Sequence, residues 1–246
     1  MRPEVSIVVP AYNEGPAITE ALDRILGAVR RPAEVLVVYD TPDDTTAEPV
    51  HSYASKDPRV VPTLNTSGRG PARAIRFAMT QAAADVIVVT MADGSDDASQ
   101  IDALSSLVDQ GAAIAAASRY SRGGRKVGGP WLKGLMSRVA GVSLHLVARV
   151  GTRDATNSFK AYSAGFVNGV KIESEAGFEL ALELVAKAHR LRLEIRELPT
   201  VWRDRTAGES HFRLTAWLPK YLHWYVFAFG RRLTPAQLAE RSKVPS

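Results

Sequence analysis

The chain has no cysteine in its 246 residues. That excludes a disulfide framework and any reaction run through a thiolate, and it suits a reducing cytosol. No stretch reaches the roughly 20 apolar residues of a membrane-spanning helix. Met1-Arg2-Pro3-Glu4 leads straight into a strand-like run, where a signal peptide would place its apolar core. Internal repeats are absent. No G-x-G-x-x-G follows the first apolar run and no Walker lysine is present, so dehydrogenase and P-loop readings fail.

What is there is a hydrophobic content of 46%, enough for a real core. The length fits one large α/β domain or one domain with an appendage. Lys and Arg number 31 against 26 Asp and Glu, a formal net charge of +5. A basic balance suggests an anionic partner: a nucleotide, a lipid phosphate, a membrane surface or a nucleic acid.

The chain is organised around VIVVTMADGSDD, Val86 to Asp97. A β-branched run predicts a buried strand over Val86 to Thr90. Acids follow, then a helical pattern with Ile101, Leu104, Leu107 and Val108 on one face. Acids at the carboxyl end of a strand lie where open α/β sheets bind ligands. Asp96 or Asp97 is expected to cap the helix, with Asp93 facing the ligand. The same alternation predicts strands at Val5 to Val9, Ala33 to Val38, Val60 to Thr63, Ala113 to Ala117, Ser158 to Tyr162 and Leu193 to Trp202. Helices are predicted around Ile18 to Leu26, Ala47 to Ser55, Ala72 to Ala83, Leu132 to Val150 and Glu175 to Ala188. Short connections argue for a parallel, doubly wound sheet. The loop Ser118 to Lys126 is glycine-rich and basic, hence expected to be mobile and anion-seeking.

Leu214 to Phe229 changes character, with Trp217, Tyr221, Trp224, Tyr225, Phe227 and Phe229. Two readings stand. One is an amphipathic helix on a membrane interface, aromatics down and Lys220, His223, Arg231 and Arg232 at the headgroups. The other is a helix docked on its own domain. Residues 233–246 read as a polar, frayed tail.

Four places look familiar: VSIVVPAYNEG at the start, VLVVYDTPDD after the second strand, VVTMADGSDD, and RDRTAGES near the end. Together, over residues 4 to 212, they resemble an inverting family 2 glycosyltransferase. ASRYSRGG and DATNSFKAY resemble its dolichyl-phosphate mannosyltransferase branch. The resemblance implies a GT-A fold: a Rossmann-like mixed, mostly parallel sheet flanked by helices, here with a C-terminal amphipathic helix. It divides the chain into a catalytic domain over 1–212, an aromatic-rich helix over 213–232 and a tail. The departures are Met91 in place of the first acid of the D-x-D metal motif, Tyr39 in place of the first of an acidic pair, and His211 where lysine is frequent.

The resemblance also assigns roles. Pro10, Tyr12, Glu14, Asp40, Gly68, Gly70, Ala92 and Asp93 would line the nucleotide-sugar site. Asp93 would hold Mg²⁺ or Mn²⁺, weakly because Met91 supplies no second carboxylate; Ser95 or Asp97 would help. Arg119, Arg122, Arg138, Arg205, Ser210 and His211 are the acceptor candidates, and Asp93, Arg119 and Arg205 the catalytic set. The acceptor is expected to be a polyprenyl phosphate, whose oxygen is already anionic and needs no base. A glycan hydroxyl would need one, and Glu183 or Glu179 would supply it. The donor is GDP-mannose or a UDP-hexose. The expected place is the inner, cytoplasmic face of a membrane. A non-catalytic nucleotide-sugar-binding module is a rival. Nucleic acid is not expected, because the aromatics cluster in one helix instead of interleaving with Lys and Arg.

Overall fold

The computed structural model describes residues 2–175, 177–204 and 214–241. It opens with β1 (Val5–Pro10), whose six residues are all buried. A strand hidden on both faces reads as a continuous β-branched run, and VSIVVP is one. α1 (Ala17–Ala28) follows, with Ile18, Ala21, Leu22, Ile25 and Leu26 inward at helical spacing. The alternation continues through β2 (Ala33–Tyr39), α2 (Ala47–Ala54), β3 (Val60–Leu64), α3 (Pro71–Gln81), β4 (Val86–Val89) and α4 (Ile101–Asp109). β5 (Ile114–Ser118) and β6 (Arg125–Val127) precede α5 (Trp131–Ser143), which runs on as a π turn over Leu144–Ala148. β7 (Lys160–Ser163), α6 (Ala164–Gly169), α7 (Glu179–Arg190), β8 (Ile195–Pro199) and β9 (Val201–Arg203) come next, then α8 (Leu214–Ala228) and α9 (Pro235–Arg241).

Seven strands form one sheet in the order β3-β2-β1-β4-β7-β5-β8, while β6 and β9 form a separate parallel pair. Alternate residues of β1 face opposite layers. Val5, Ile7 and Val9 share a core with Ile18, Leu22 and Leu104; Val8 shares another with Ile75, Met79 and Leu184. Helices thus cover both faces. The strand order reverses between β1 and β4, which opens a crevice at their carboxyl ends.

β7 is antiparallel to both β4 and β5, so the sheet is mixed and mostly parallel, as the resemblance implies and not all-parallel as the alternation alone suggests; hydrophobic pattern carries no strand direction. The structure corrects other expectations. The run Leu193 to Trp202 divides at Pro199, giving one strand to each sheet. The loop Ser118 to Lys126 runs into β6 and is closely packed at Gly124, where a Cβ would lie 2.3 Å from the Ser118 carbonyl oxygen. The segment read as a frayed tail begins with α9, whose Leu238 is buried.

α8 docks on its own domain. Trp224 and Ala228 enter the core, and Tyr221, Tyr225 and Phe227 pack against it. Lys187 Nζ lies 4.9 Å above the Trp224 ring and the Arg190 guanidinium 4.3 Å above Phe227. Tyr221, Trp224, Tyr225 and Phe227 therefore face inward, while Phe229 is exposed and the outer face carries Leu218, Leu222 and Val226. The Trp217 side chain lies outside the described residues. No helix among the described residues is long and apolar enough to cross a membrane.

Candidate active site

Three loops meet at the crevice through backbone-accepting carboxylates. Asp40, just past β2, accepts 2.7 Å bonds from Asn65 Nδ2 and from the Gly70 N–H. Asn65 Nδ2 also donates to the Gly68 carbonyl. Gly70 has φ 112° and ψ 152°, a backbone that essentially only glycine adopts. Asp40, Gly68 and Gly70 are thus brought together, with Asp40 as the staple between two loops. Asp44, which the sequence reading passed over, is the second staple. It is buried and accepts from the Asn13 and Thr46 N–H groups, while Thr46 Oγ1 accepts from the Glu14 N–H. The turn carrying Tyr12 and Glu14 is set by these bonds. Pro10 and Ala92 are buried beside it, and Tyr12 is exposed.

The acidic loop after β4 separates its carboxylates by task. Asp97 accepts from the Ser99 N–H and Oγ, capping the turn that leads into α4. Asp96 accepts from the Met91 N–H at 3.0 Å and from Thr90 Oγ1 at 3.2 Å. Removal from water pushes its carboxyl up to about 7, and the neighbouring Asp93 charge adds to this. Asp93 uses one oxygen to accept from the Ser95 N–H. Ser95 is buried and is not an open metal ligand, while Asp97 uses one oxygen, Oδ1, for its cap. Among the described residues no three His, Cys, Asp or Glu side chains group as a metal site. A hard cation takes six or more oxygens. This donor set fits an ion held jointly with a diphosphate, with Asp93 as the protein's carboxylate, and does not fit a resident ion.

The acceptor side is built on one buried ion pair. Arg119, following β5, sends Nε and Nη2 to the two Asp154 oxygens at 2.7 and 2.8 Å, and its own N–H to Oδ2 at 2.9 Å. Asp154 is fully buried. Nη2 also reaches Ser137 Oγ of α5 at 3.1 Å, and Ser137 Oγ lies 2.6 Å from Thr156 Oγ1. Burial opposes the charge, yet Asp154 outweighs it, and the guanidinium pKa is raised. Lys160, buried on β7, donates to the Ala155 and Asn157 carbonyls. Burial lowers its ammonium to about 7, and Arg119 pushes the same way against Asp154 and Asp96. Only the spacing of DATNSFKAY, which puts a charge inside a strand, hinted at it. Arg122 and Arg138 are exposed and are not drawn into this cluster. Arg205, Ser210 and His211 lie outside the described residues.

Neither candidate base is open. Glu183 is fully buried and accepts from the Glu173 and Ser174 N–H groups, each at 2.7 Å, and from Lys187 Nζ at 2.6 Å. Both its oxygens are engaged and buried, so it holds a loop and a buried ammonium. Glu179 is 1% exposed, and its Oε2 has no hydrogen-bond partner. Its charge adds to the burial that raises the Tyr221 hydroxyl's pKa.

The glycosyl transferase family 2 model matches residues 6–168. The chain belongs to that family. A dolichol-phosphate mannosyltransferase of Pyrococcus furiosus is 29% identical over 85% of this chain, which spans 59% of that relative's length. A polyprenol monophosphomannose synthase of Mycolicibacterium smegmatis is 27% identical, covering 83% of this chain and 79% of its own. An undecaprenyl-phosphate mannosyltransferase of Micrococcus luteus is 28% identical, covering 84% and 86%. Among solved structures, glucosyl-3-phosphoglycerate synthase of Mycobacterium tuberculosis, in complex with Mn²⁺, UDP and phosphoglyceric acid, aligns over 93% of this chain and 79% of its own. Its TM-score is 0.68 at 17% identity. A mannosyltransferase of Pyrobaculum calidifontis, in complex with GDP-Man and Mn²⁺, covers 99% and 69%, with TM-score 0.63 at 20% identity. These two share the fold of this family 2 chain.

Proposed function

We propose that this family 2 glycosyltransferase moves a sugar from GDP-mannose or a UDP-hexose to a polyprenyl phosphate, with inversion, at the inner face of a membrane. The observation that carries the acceptor class is the state of the two candidate bases. Glu183 is fully buried with both oxygens engaged, and Glu179 is sealed from solvent. A hydroxyl acceptor needs a base that reaches it. A phosphate monoester, with a second pKa of about 6, brings its own oxyanion. The names of the three curated relatives support the same class.

In the proposed reaction the acceptor oxyanion attacks the anomeric carbon. The bond from that carbon to the nucleoside diphosphate breaks, and the diphosphate leaves with the electron pair. No proton moves. Arg119, locked by Asp154, sets the positive end of the acceptor site, with Arg205, Ser210 and His211 completing it and Arg122 and Arg138 at its approach. Pro10, Tyr12, Glu14, Asp40, Gly68, Gly70 and Ala92 shape the donor site. Mg²⁺ or Mn²⁺ arriving with the donor would be held by Asp93, where its charge stabilises the leaving diphosphate.

A hydroxyl acceptor has one observation in its favour, the unpartnered Glu179 oxygen. A donor panel separates the two. Nucleoside diphosphate release that depends on a short polyprenyl phosphate supports the proposal. Release that depends on a glycan hydroxyl, and is lost in Glu179→Gln, overturns it.

A further inference from the structure

Lys126 stands next to the Arg119 cluster. It lies on β6 directly opposite Trp202 of β9, and its Nζ sits 5.6 Å above the Trp202 ring. Two glycines make room for the ammonium. A Cβ on Gly129 would lie 3.1 Å from Nζ, and one on Gly134 would lie 2.9 Å from it. Gly134 is inside α5, where glycine is a poor helix residue. The ammonium thus occupies a slot that a side chain at either position would close.

Arg119 meets the same helix one turn further on. The Tyr120 hydroxyl donates to the Gly134 carbonyl at 3.2 Å, and the Arg119 guanidinium lies 5.1 Å above the Tyr120 ring. Arg119 Nη2 reaches Ser137, three residues beyond Gly134 and on the same helix face. Two cations are therefore brought side by side. Burial, and next the Arg119 charge, hold the Lys126 ammonium below its ordinary range, with Asp204 acting the other way.

The two charges differ in how they are spent. Arg119 gives Nε and Nη2 to the fully buried Asp154, so that pair is neutral as a unit. Lys126 donates to the Pro130 carbonyl at 3.2 Å, and among the described residues no carboxylate forms an ion pair with it. No Asp or Glu occurs between Asp109 and Asp154, so the acid that acts on it is Asp204, from the other strand of the ribbon's end. An ammonium has three donors, and two remain. A phosphate monoester needs positive charge that is not already neutralised, and a closed Arg–Asp pair does not provide it.

We infer that Lys126 binds the acceptor phosphate directly and supplies the uncompensated charge of the acceptor site, with Trp202, Gly129 and Gly134 as the residues that position it. This rests on the polyprenyl phosphate acceptor of the proposed function and adds a binding residue to it. It also gives the small β6–β9 ribbon a task, which is to carry that ammonium to the side of Arg119.

The probe is farnesyl phosphate, titrated by calorimetry into the full chain. Lys126→Met keeps the stem and removes the charge. Its dissociation constant for farnesyl phosphate is expected to rise about tenfold to hundredfold, as loss of a hydrogen bond between charged groups does. Melting temperature and affinity for GDP and UDP are expected to stay near the parent values, which separates binding from a structural role. The absence of native cysteine permits a rescue. Lys126→Cys alkylated with bromoethylamine carries an ammonium on a stem of lysine length and is expected to regain affinity. The same variant alkylated with iodoacetamide carries a neutral amide and is expected not to. Equal affinity of the parent and Lys126→Met, or equal rescue by the two reagents, overturns the inference. So does a loss confined to GDP and UDP, which would assign the ammonium to the donor diphosphate. A parent chain that does not bind farnesyl phosphate overturns the inference together with the acceptor class. Transfer is measured alongside. A parent chain that binds farnesyl phosphate through Lys126 and transfers no sugar to it counts against the reaction and supports the site.

Discussion

The residues up to Asp109 carry 9 Lys and Arg against 16 Asp and Glu; those from Gln110 onward carry 22 against 10. A formal charge of +5 thus conceals a half of −7 and a half of +12. The acidic half uses its carboxylates internally. Asp40, Asp44, Asp96 and Asp97 each accept backbone N–H bonds and fix loops at the crevice. The basic half turns apolar stripes and many of its cations outward, and buries Arg119 against Asp154, Lys187 against Glu183 and Lys160 against backbone carbonyls. In the proposed reaction two anionic substrates would therefore be handled by different means, the donor by a preformed polar cradle and the acceptor by positive charge beside an apolar face.

The sharpest break in that comparison is Asp154→Ala. Removing one partner of a buried, bonded ion pair costs about 3–5 kcal/mol. Urea unfolding should register that loss, and any folded fraction should lose acceptor affinity before donor affinity. Glu183→Ala should cost about 1–3 kcal/mol or more, because the Glu173 and Ser174 N–H groups lose their acceptor and buried Lys187 keeps only Glu173 as a carboxylate partner. Its pH–rate profile should keep the parent shape, and loss of a titrating limb would restore the base reading. Asp93→Asn should lower turnover by about 10²–10³, as loss of a charge-stabilising group does, with nucleotide affinity changed only slightly by calorimetry. Unchanged turnover would remove Asp93 from the reaction.

Smaller effects test the seam between the halves. Lys160 is held below its ordinary 10.5, near 7, by burial. Between those values the unfolded chain binds more protons, so this group's contribution to stability rises with pH across that window. The slope is at most on the order of 1.4 kcal/mol per pH unit. Lys160→Met should flatten that rise in denaturation curves between pH 7 and 10. Gly70→Ala should cost about 1–3 kcal/mol by forcing a side chain into the glycine backbone region, with donor affinity falling in step.

The acidic half was legible because its signals are long. VSIVV, AEVLVV and VIVV are strands hidden on both faces, and the stripe Ile18 to Leu26 is one helix. The basic half was less so. β6 and β9 are three residues each, too short to show a period. Glu183 looked like a polar helix face, since hydrophobic pattern does not predict a buried charge. The signal that existed was Lys187 four residues on, a spacing that pairs charges on a helix. The aromatic cluster of α8 marked the helix but not its orientation, because aromatic side chains serve a core and an interface equally well. The donor motifs led to Asp40 and missed Asp44 four residues on, because acids in one turn-rich loop differ only in where the backbone aims them.

The reversal of β7 has a consequence for how the molecule is made. β5 pairs only with β7 and β8, which lie later in the chain, and β7 alone joins β5 to β4. As the polypeptide leaves the ribosome, the first four strands can assemble in order. Ile114 to Ser118, an apolar run, then waits for its partner, with the edge of β4 open beside it. Residues 160–163 close the sheet, and the same strand brings Lys160 into the cluster of Arg119 and Asp154. The step that bridges β4 and β5, before β8 joins at the edge, is thus also the one that gathers the Arg119 cluster, and the interval before it is when the nascent chain is most open to mispairing.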